Sequence, residues 1–150
     1  MEALAPPRNT SCYDEDWVLW IDAQVRLLLE RRFSELDIEN LVEELDGMKK
    51  HCVRQLKSRL TVLIMHLLKC QYQKEHKQGK WRSTLIEQRQ RISWLLDDSP
   101  SMRPSVPRFA SDCYPAARRR AALETGLDPA TFPTQLPYSI SQLLDSEFMP

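Results

Sequence analysis

DIENLVEELDGMKKHCVRQLKSRLTVLIMHLLKCQ, residues 37–71, contains no proline. Its apolar residues recur in steps of three and four, from Ile38, Leu41, Val42, Leu45 and Met48 through to Leu60, Leu63, Ile64, Leu67 and Leu68. That spacing puts them on one side of an α-helix, about 50 Å long, well beyond the ordinary globular length. Charge reverses along it: Glu39, Glu43, Glu44 and Asp46 come first, then Lys49, Lys50, Arg54, Lys57, Arg59 and Lys69. Gly47 within it costs ~1 kcal/mol against alanine and marks a bend or a close crossing.

Upstream, residues 1–12 read as a flexible tail broken by Pro6, Pro7 and Asn9, and residues 13–150 as a single all-helical domain. A first helix is expected from about Asp14 to Arg32, burying Trp17, Trp20, Ile21, Val25, Leu28 and Leu29. FSELD then turns the chain, with Asp37 as N-cap. Downstream, Gly79 marks a loop, and Thr84 with Glu87 forms a capping box for a helix ending near Asp97. Pro100, Pro104, Pro107 and Pro115 divide the next region into two shorter helices, near 100–112 and 115–125, because proline is tolerated only in a helix's first turn. Gly126 stops the second. Pro129, Pro133 and Pro137 make the tail an extended wrap, and Ser139 with Gln142 caps a last short turn. The fold class is all-α: a small helical bundle on one long central helix, with a proline-rich C-terminal wrap.

Only three glycines in 150 residues and no strand-like alternation favour an all-α chain, and three glycines cannot make a glycine-rich nucleotide loop. Net charge is zero but unevenly spread. Residues 1–48 hold four Lys/Arg against twelve Asp/Glu, a net of −8, and residues 49–91 hold twelve against two, a net of +10. Such asymmetry marks either a nucleic-acid face or charges neutralised within the fold. Cys12, Cys52, Cys70 and Cys113 lack zinc-knuckle spacing. The start carries no leader pattern, and the longest greasy run, Leu60–Leu68, is too short to span a bilayer. These features point to a reduced, cytoplasmic protein without membrane association.

Several strings, among them DWVLWIDAQVRLL, FSELDIENLVEELDGM, SRLTVLIMHLLKCQYQ, WRSTLIEQRQRI and PYSISQLLDSEFMP, occur in the order of a bacterial family, domain of unknown function twenty-nine. The chain resembles that family from about Tyr13 to Pro150. The resemblance implies an all-helical bacterial protein and no particular activity. It also singles out polar positions: Asn40, Glu43, Glu44, Ser58, His66, Lys69, Gln71, Tyr72, Trp81, Gln88 and Arg89. Cys70 stands where the family often has tryptophan.

No catalytic constellation is legible. Ser58, Thr61 and His66 lack a nucleophile elbow, and no Glu-x-x-His pair supports a di-metal site. His66 reads as a hydrogen-bonded core histidine, or as a ligand if Glu43 or Glu44 meets it in space. Glu43, Glu44, His66, Lys69, Trp81, Gln88 and Arg89 form the candidate polar binding cluster. Lys74, Lys77, Lys80, Arg82 and Arg91, with Tyr72, form an alternative nucleic-acid surface within residues 69–91, where cations meet phosphates and an aromatic stacks on a base. Tyr138, Phe148, Leu143 and Leu144 either pack on the bundle or form a docking strip. The leading expectation is a non-enzymatic interaction module that binds a protein partner or itself, without cofactor or metal. Nucleic-acid binding is the alternative, and a metal-dependent enzyme around His66 a weaker one.

Overall fold

A computed structural model describes residues 11–73 and 78–150. Among these residues the chain is all-helical and lacks strands. Its helices are α1 (Ser11–Glu15), α2 (Trp17–Leu29), α3 (Ile38–Tyr72), α4 (Gln78–Asp98), α5 (Val106–Thr125) and α6 (Ile140–Leu144). The chain forms two compact units, Met1–Lys50 and His51–Pro150. The tail expected over residues 1–12 lies outside the described residues up to residue 10.

In the N-terminal unit the expected first helix is two. Asp16 adopts an extended conformation between them, and its side chain accepts a hydrogen bond from the Leu19 amide at 3.0 Å, which caps α2. The helix ends at Leu29, short of Arg32, because Arg31 takes a left-handed φ of 58°. Arg32 N then reaches the Leu27 carbonyl and Arg31 N the Leu28 carbonyl, a Schellman closure that glycine would make without strain. Of the six residues expected to be buried on this helix, Trp20 alone is fully so. Asp37 does cap α3, accepting from Asn40 N at 3.4 Å. A Cβ on Gly47 would meet nothing within 4 Å, so no close crossing passes there.

In the C-terminal unit α3 supplies the core: Leu56, Leu60, Leu63, Ile64, Leu67 and Leu68 are fully enclosed. Leu85, Ile92 and Leu96 of α4 and Phe109, Ala110, Ala117 and Ala121 of α5 join the same cluster. α4 begins at Gln78, so Thr84 is no cap; its hydroxyl donates back to the Lys80 carbonyl. Residues 100–125 are not two helices. Pro100–Ser105 forms a 3-10 turn and α5 runs on unbroken through Pro115. An interior proline costs about 3 kcal/mol, and the buried stripe Val106, Phe109, Ala110, Cys113, Ala117, Ala121 outweighs it.

The tail wraps as expected, with Gly126 left-handed at φ 71° and the Ser139–Gln142 capping box in place. An extended segment leaves its carbonyls without ladder partners, and side chains of the bundle supply donors. Tyr114 Oη donates to the Pro133 carbonyl at 2.6 Å, and Arg118 donates to those of Pro129 and Phe132. Tyr138 Oη donates to Gln71 Oε1 at 2.7 Å. Tyr138 and Leu143 are buried and Phe148 is half-buried, so of the four tail residues weighed for a docking strip Leu144 alone is exposed, and the tail packs on the bundle.

Candidate functional site

Three members of the candidate cluster, His66, Lys69 and Trp81, meet on one polar cleft of about 440 Å³ between α3, α4 and α5. Lys69 is 8% exposed. Its Nζ donates to Glu124 Oε2 at 2.7 Å and lies 5.0 Å from the centre of the Trp81 ring. A buried ammonium needs such a partner, and the ring face adds cation–π attraction. The pairing holds the Glu124 carboxyl below the usual carboxylate range. His66 Nδ1 contacts the Val62 carbonyl at 2.9 Å. A carbonyl only accepts, so Nδ1 carries the proton and Nε2 is the acceptor. Burial lowers the His66 pKa, so the ring is neutral at pH 7. Gln73, Lys80 and Thr84 complete the lining. The cleft can hold a small polar molecule by hydrogen bonds and charge. The nearby thiol of Cys70 is pushed up by burial, which withholds the reactive thiolate.

Arg89, another member, is a fastening for the tail. Its guanidinium donates to the carbonyls of Leu143 and Phe148 at 2.9 Å and Gln142 at 3.1 Å. Burial lowers its pKa. Gln88 is buried, and its Oε1 has no hydrogen-bond partner among the described residues. Glu43 and Glu44 belong to the N-terminal unit, and Lys69 takes Glu124 as its carboxylate. No group of three His, Cys, Asp or Glu among the described residues could hold a metal ion.

Of the basic set, Lys74 and Lys77 lie outside the described residues. Arg91 is paired with Glu87 at 2.9 Å, and Tyr72 packs edge-on against Phe132 at 5.2 Å. Lys80 and Arg82 are exposed. A larger cavity of about 590 Å³, beside Pro115, Leu123 and Leu127, is mainly apolar, and its Arg118 is already engaged with the tail.

The N-terminal unit is built differently. Trp20 Nε1 donates to Asp37 Oδ2 at 3.0 Å, and Asp37 N donates to Gln24 Oε1 at 2.9 Å. Glu44 Oε1 accepts from Tyr13 Oη at 2.7 Å and from Trp17 Nε1 at 3.0 Å. These two donors hold the Glu44 carboxyl below its usual range, and the same bond pushes the Tyr13 pKa up to about 12. Glu44 is thus a latch between helices. Because α3 turns polar residues toward α2, its apolar stripe is left bare: Leu45 is 63% and Met48 64% exposed. Leu29 of α2 is 80% exposed. Among the described residues fifteen large hydrophobic residues are exposed, and eleven of them lie from Trp17 to Met48. Sequence periodicity located the α3 stripe and local patterns pointed to Asp37 and Glu44; that Tyr13, Trp17, Trp20 and Gln24 are their partners had no local signal.

An all-helical chain threaded by one long helix is the class this architecture defines. The chain belongs to the family described as Domain of unknown function DUF29, whose model matches residues 12–149. No curated protein and no solved structure matches it. No helix among the described residues is long and apolar enough to cross a membrane.

Proposed function

We propose that the protein is a non-enzymatic interaction module that docks a protein partner through its N-terminal unit. One observation carries this reading: eleven large apolar residues of residues 17–48, among them Val18, Val25, Leu28, Ile38, Leu45 and Met48, stand exposed. Contiguous apolar surface of that extent marks an interaction site in a soluble protein. The reading places the chain in a bacterial cytoplasm, which the unbridged Cys52, Cys70 and Cys113 support.

A photo-crosslinking residue at position 45 of the full chain, activated in the producing cells, tests it. The expected result is a discrete protein adduct, lost when Val42→Glu is added. A crosslinker at exposed Arg119 serves as control. No adduct at position 45, or the same adducts at both positions, overturns the reading.

Nucleic-acid binding through residues 69–91 draws on fewer free cations than the sequence offered, since Lys69 and Arg91 have carboxylate partners. Lys80 and Arg82 are what the described residues leave for it.

A further inference from the structure

We infer that the occupant of this bare face is a second copy of the chain, two α2–α3 hairpins stacking into a four-helix bundle. The inference rests on the docking role proposed for the N-terminal unit.

Spacing comes first. On α2 the residues Val18, Ile21, Val25 and Leu28 follow steps of three, four and three. On α3 Ile38, Leu41, Leu45 and Met48 follow the same steps. This is the a/d pattern of helices that pack along their length, and it occurs twice within one hairpin. Neither stripe faces the other helix, because Trp20 and Gln24 on one side and Asp37 and Glu44 on the other occupy that contact.

The two stripes share one side. Tyr13 and Trp17 meet Glu44 while Trp20 and Gln24 meet Asp37, so α2 and α3 run antiparallel. On each helix the stripe is centred about a quarter-turn from the contact residues, in the same rotational sense. On antiparallel helices, equal rotations of the same sense bring both stripes to the same side. The hairpin is therefore a two-helix layer, latched by polar groups within and apolar on one side. A two-helix layer with one apolar side is half of a four-helix bundle. Its own copy, related by a two-fold axis, is a self-complementary cover.

Area and charge agree. The stripe residues that stand exposed, Val18, Val25, Leu28, Ile38, Leu45 and Met48 at 46–64%, offer on the order of 600 Å², somewhat under the roughly 800 Å² that one partner of a standard interface buries. The acids Glu39, Glu43 and Asp46 lie away from the α3 stripe. Its rim carries Lys49 and the rim of the α2 stripe carries Asp22, so a second copy meets no row of like charge. A basic partner helix would call for acids along both rims.

Light scattering on the purified full chain over a concentration series is the test. The expected result is twice the chain mass, with dimerisation tightening as salt screens the two acidic units. Leu45→Glu combined with Val25→Glu should weaken dimerisation at least a hundredfold while far-UV circular dichroism stays unchanged, since both residues are exposed in the monomer. The milder Val42→Lys should weaken it in the same direction. A wild-type chain that stays monomeric at on the order of 100 μM overturns the second copy, as does a dimer that survives both variants. If that monomer still gives the position-45 adduct at a mass other than two chains, docking stands and self-association falls; without the adduct, both fall.

Discussion

The single helix α3 lives two lives. Over Leu56–Leu68 its leucines are fully enclosed by α4 and α5. Over Ile38–Met48 the same three-four spacing is exposed, and polar Asp37 and Glu44 make the interhelical contacts instead. One periodicity therefore serves stability in one unit and, on our reading, assembly in the other. Equivalent apolar-to-small changes should separate the two uses. Leu67→Ala should cost about 3 kcal/mol, since it opens a cavity in a closed core. Leu45→Ala should leave the stability of the monomer within about 0.5 kcal/mol, as surface changes do. Urea unfolding of the two variants, at a concentration where the chain is monomeric, measures both. Equal costs would abolish the distinction.

The next largest effect belongs to Arg89. Its guanidinium answers three tail carbonyls. Arg89→Met keeps the apolar stem and strands those acceptors, for a loss of about 2 kcal/mol. Amide exchange should speed up across residues 140–148 before the rest of the C-terminal unit responds. Arg91→Met, which breaks only an exposed pair with Glu87, should cost under about 0.5 kcal/mol. If the tail amides exchange alike in both variants, Arg89 is not the fastening.

What the sequence showed of this molecule follows from what each signal encodes. The bounds of α3 were legible because thirteen apolar residues repeat at helical spacing with no breaker among them. Spacing says which side chains share a side, not what covers that side, so the burial expected of Val25, Leu28 and Leu29 was wrong. The stripe Val106–Phe109–Cys113–Ala117–Ala121 crosses Pro115 and marks α5 as continuous, a signal that the prolines taken alone conceal. In the candidate cleft, His66, Lys69 and Trp81 were named from sequence, but Glu124 was not. It stands 55 residues from Lys69, and only tertiary folding brings the two together. Arg89's partners are backbone carbonyls, which every residue has, so no side chain in the sequence could announce them.

The N-terminal unit should also accept stabilisation that the C-terminal unit, already close-packed, would not. Gly47 sits inside α3 with open space around the Cβ position, so Gly47→Ala should gain about 1 kcal/mol from helix propensity. Arg31 holds a left-handed conformation at a helix end, so Arg31→Gly should gain by relieving strain. Both gains should appear in the unfolding of residues 11–50 and leave the core response to Leu67→Ala unchanged. A loss at either site would mean that its backbone environment differs from the one described.

The smallest effect is a dependence on pH between 7.5 and 5, which His66 gives to the C-terminal unit. Burial lowers the His66 pKa from its ordinary 6.5, so the unfolded chain binds a proton at this site more readily than the folded one. Stability contributed here is complete above pH 6.5 and declines as pH falls from there toward the lowered folded value. Glu124 is also lowered, from an ordinary 4.5, by its bond to Lys69; its contribution is present above 4.5 and fades only below it. The two steps are thus separated along the pH axis. Urea midpoints taken at pH 7.5, 6 and 5 should fall for the wild type and fall less for His66→Gln, which cannot take up the charge. Because Glu124 is ionised over most of that range, a decline of the same size in His66→Gln would assign the dependence to another group and mean that burial does not shift His66.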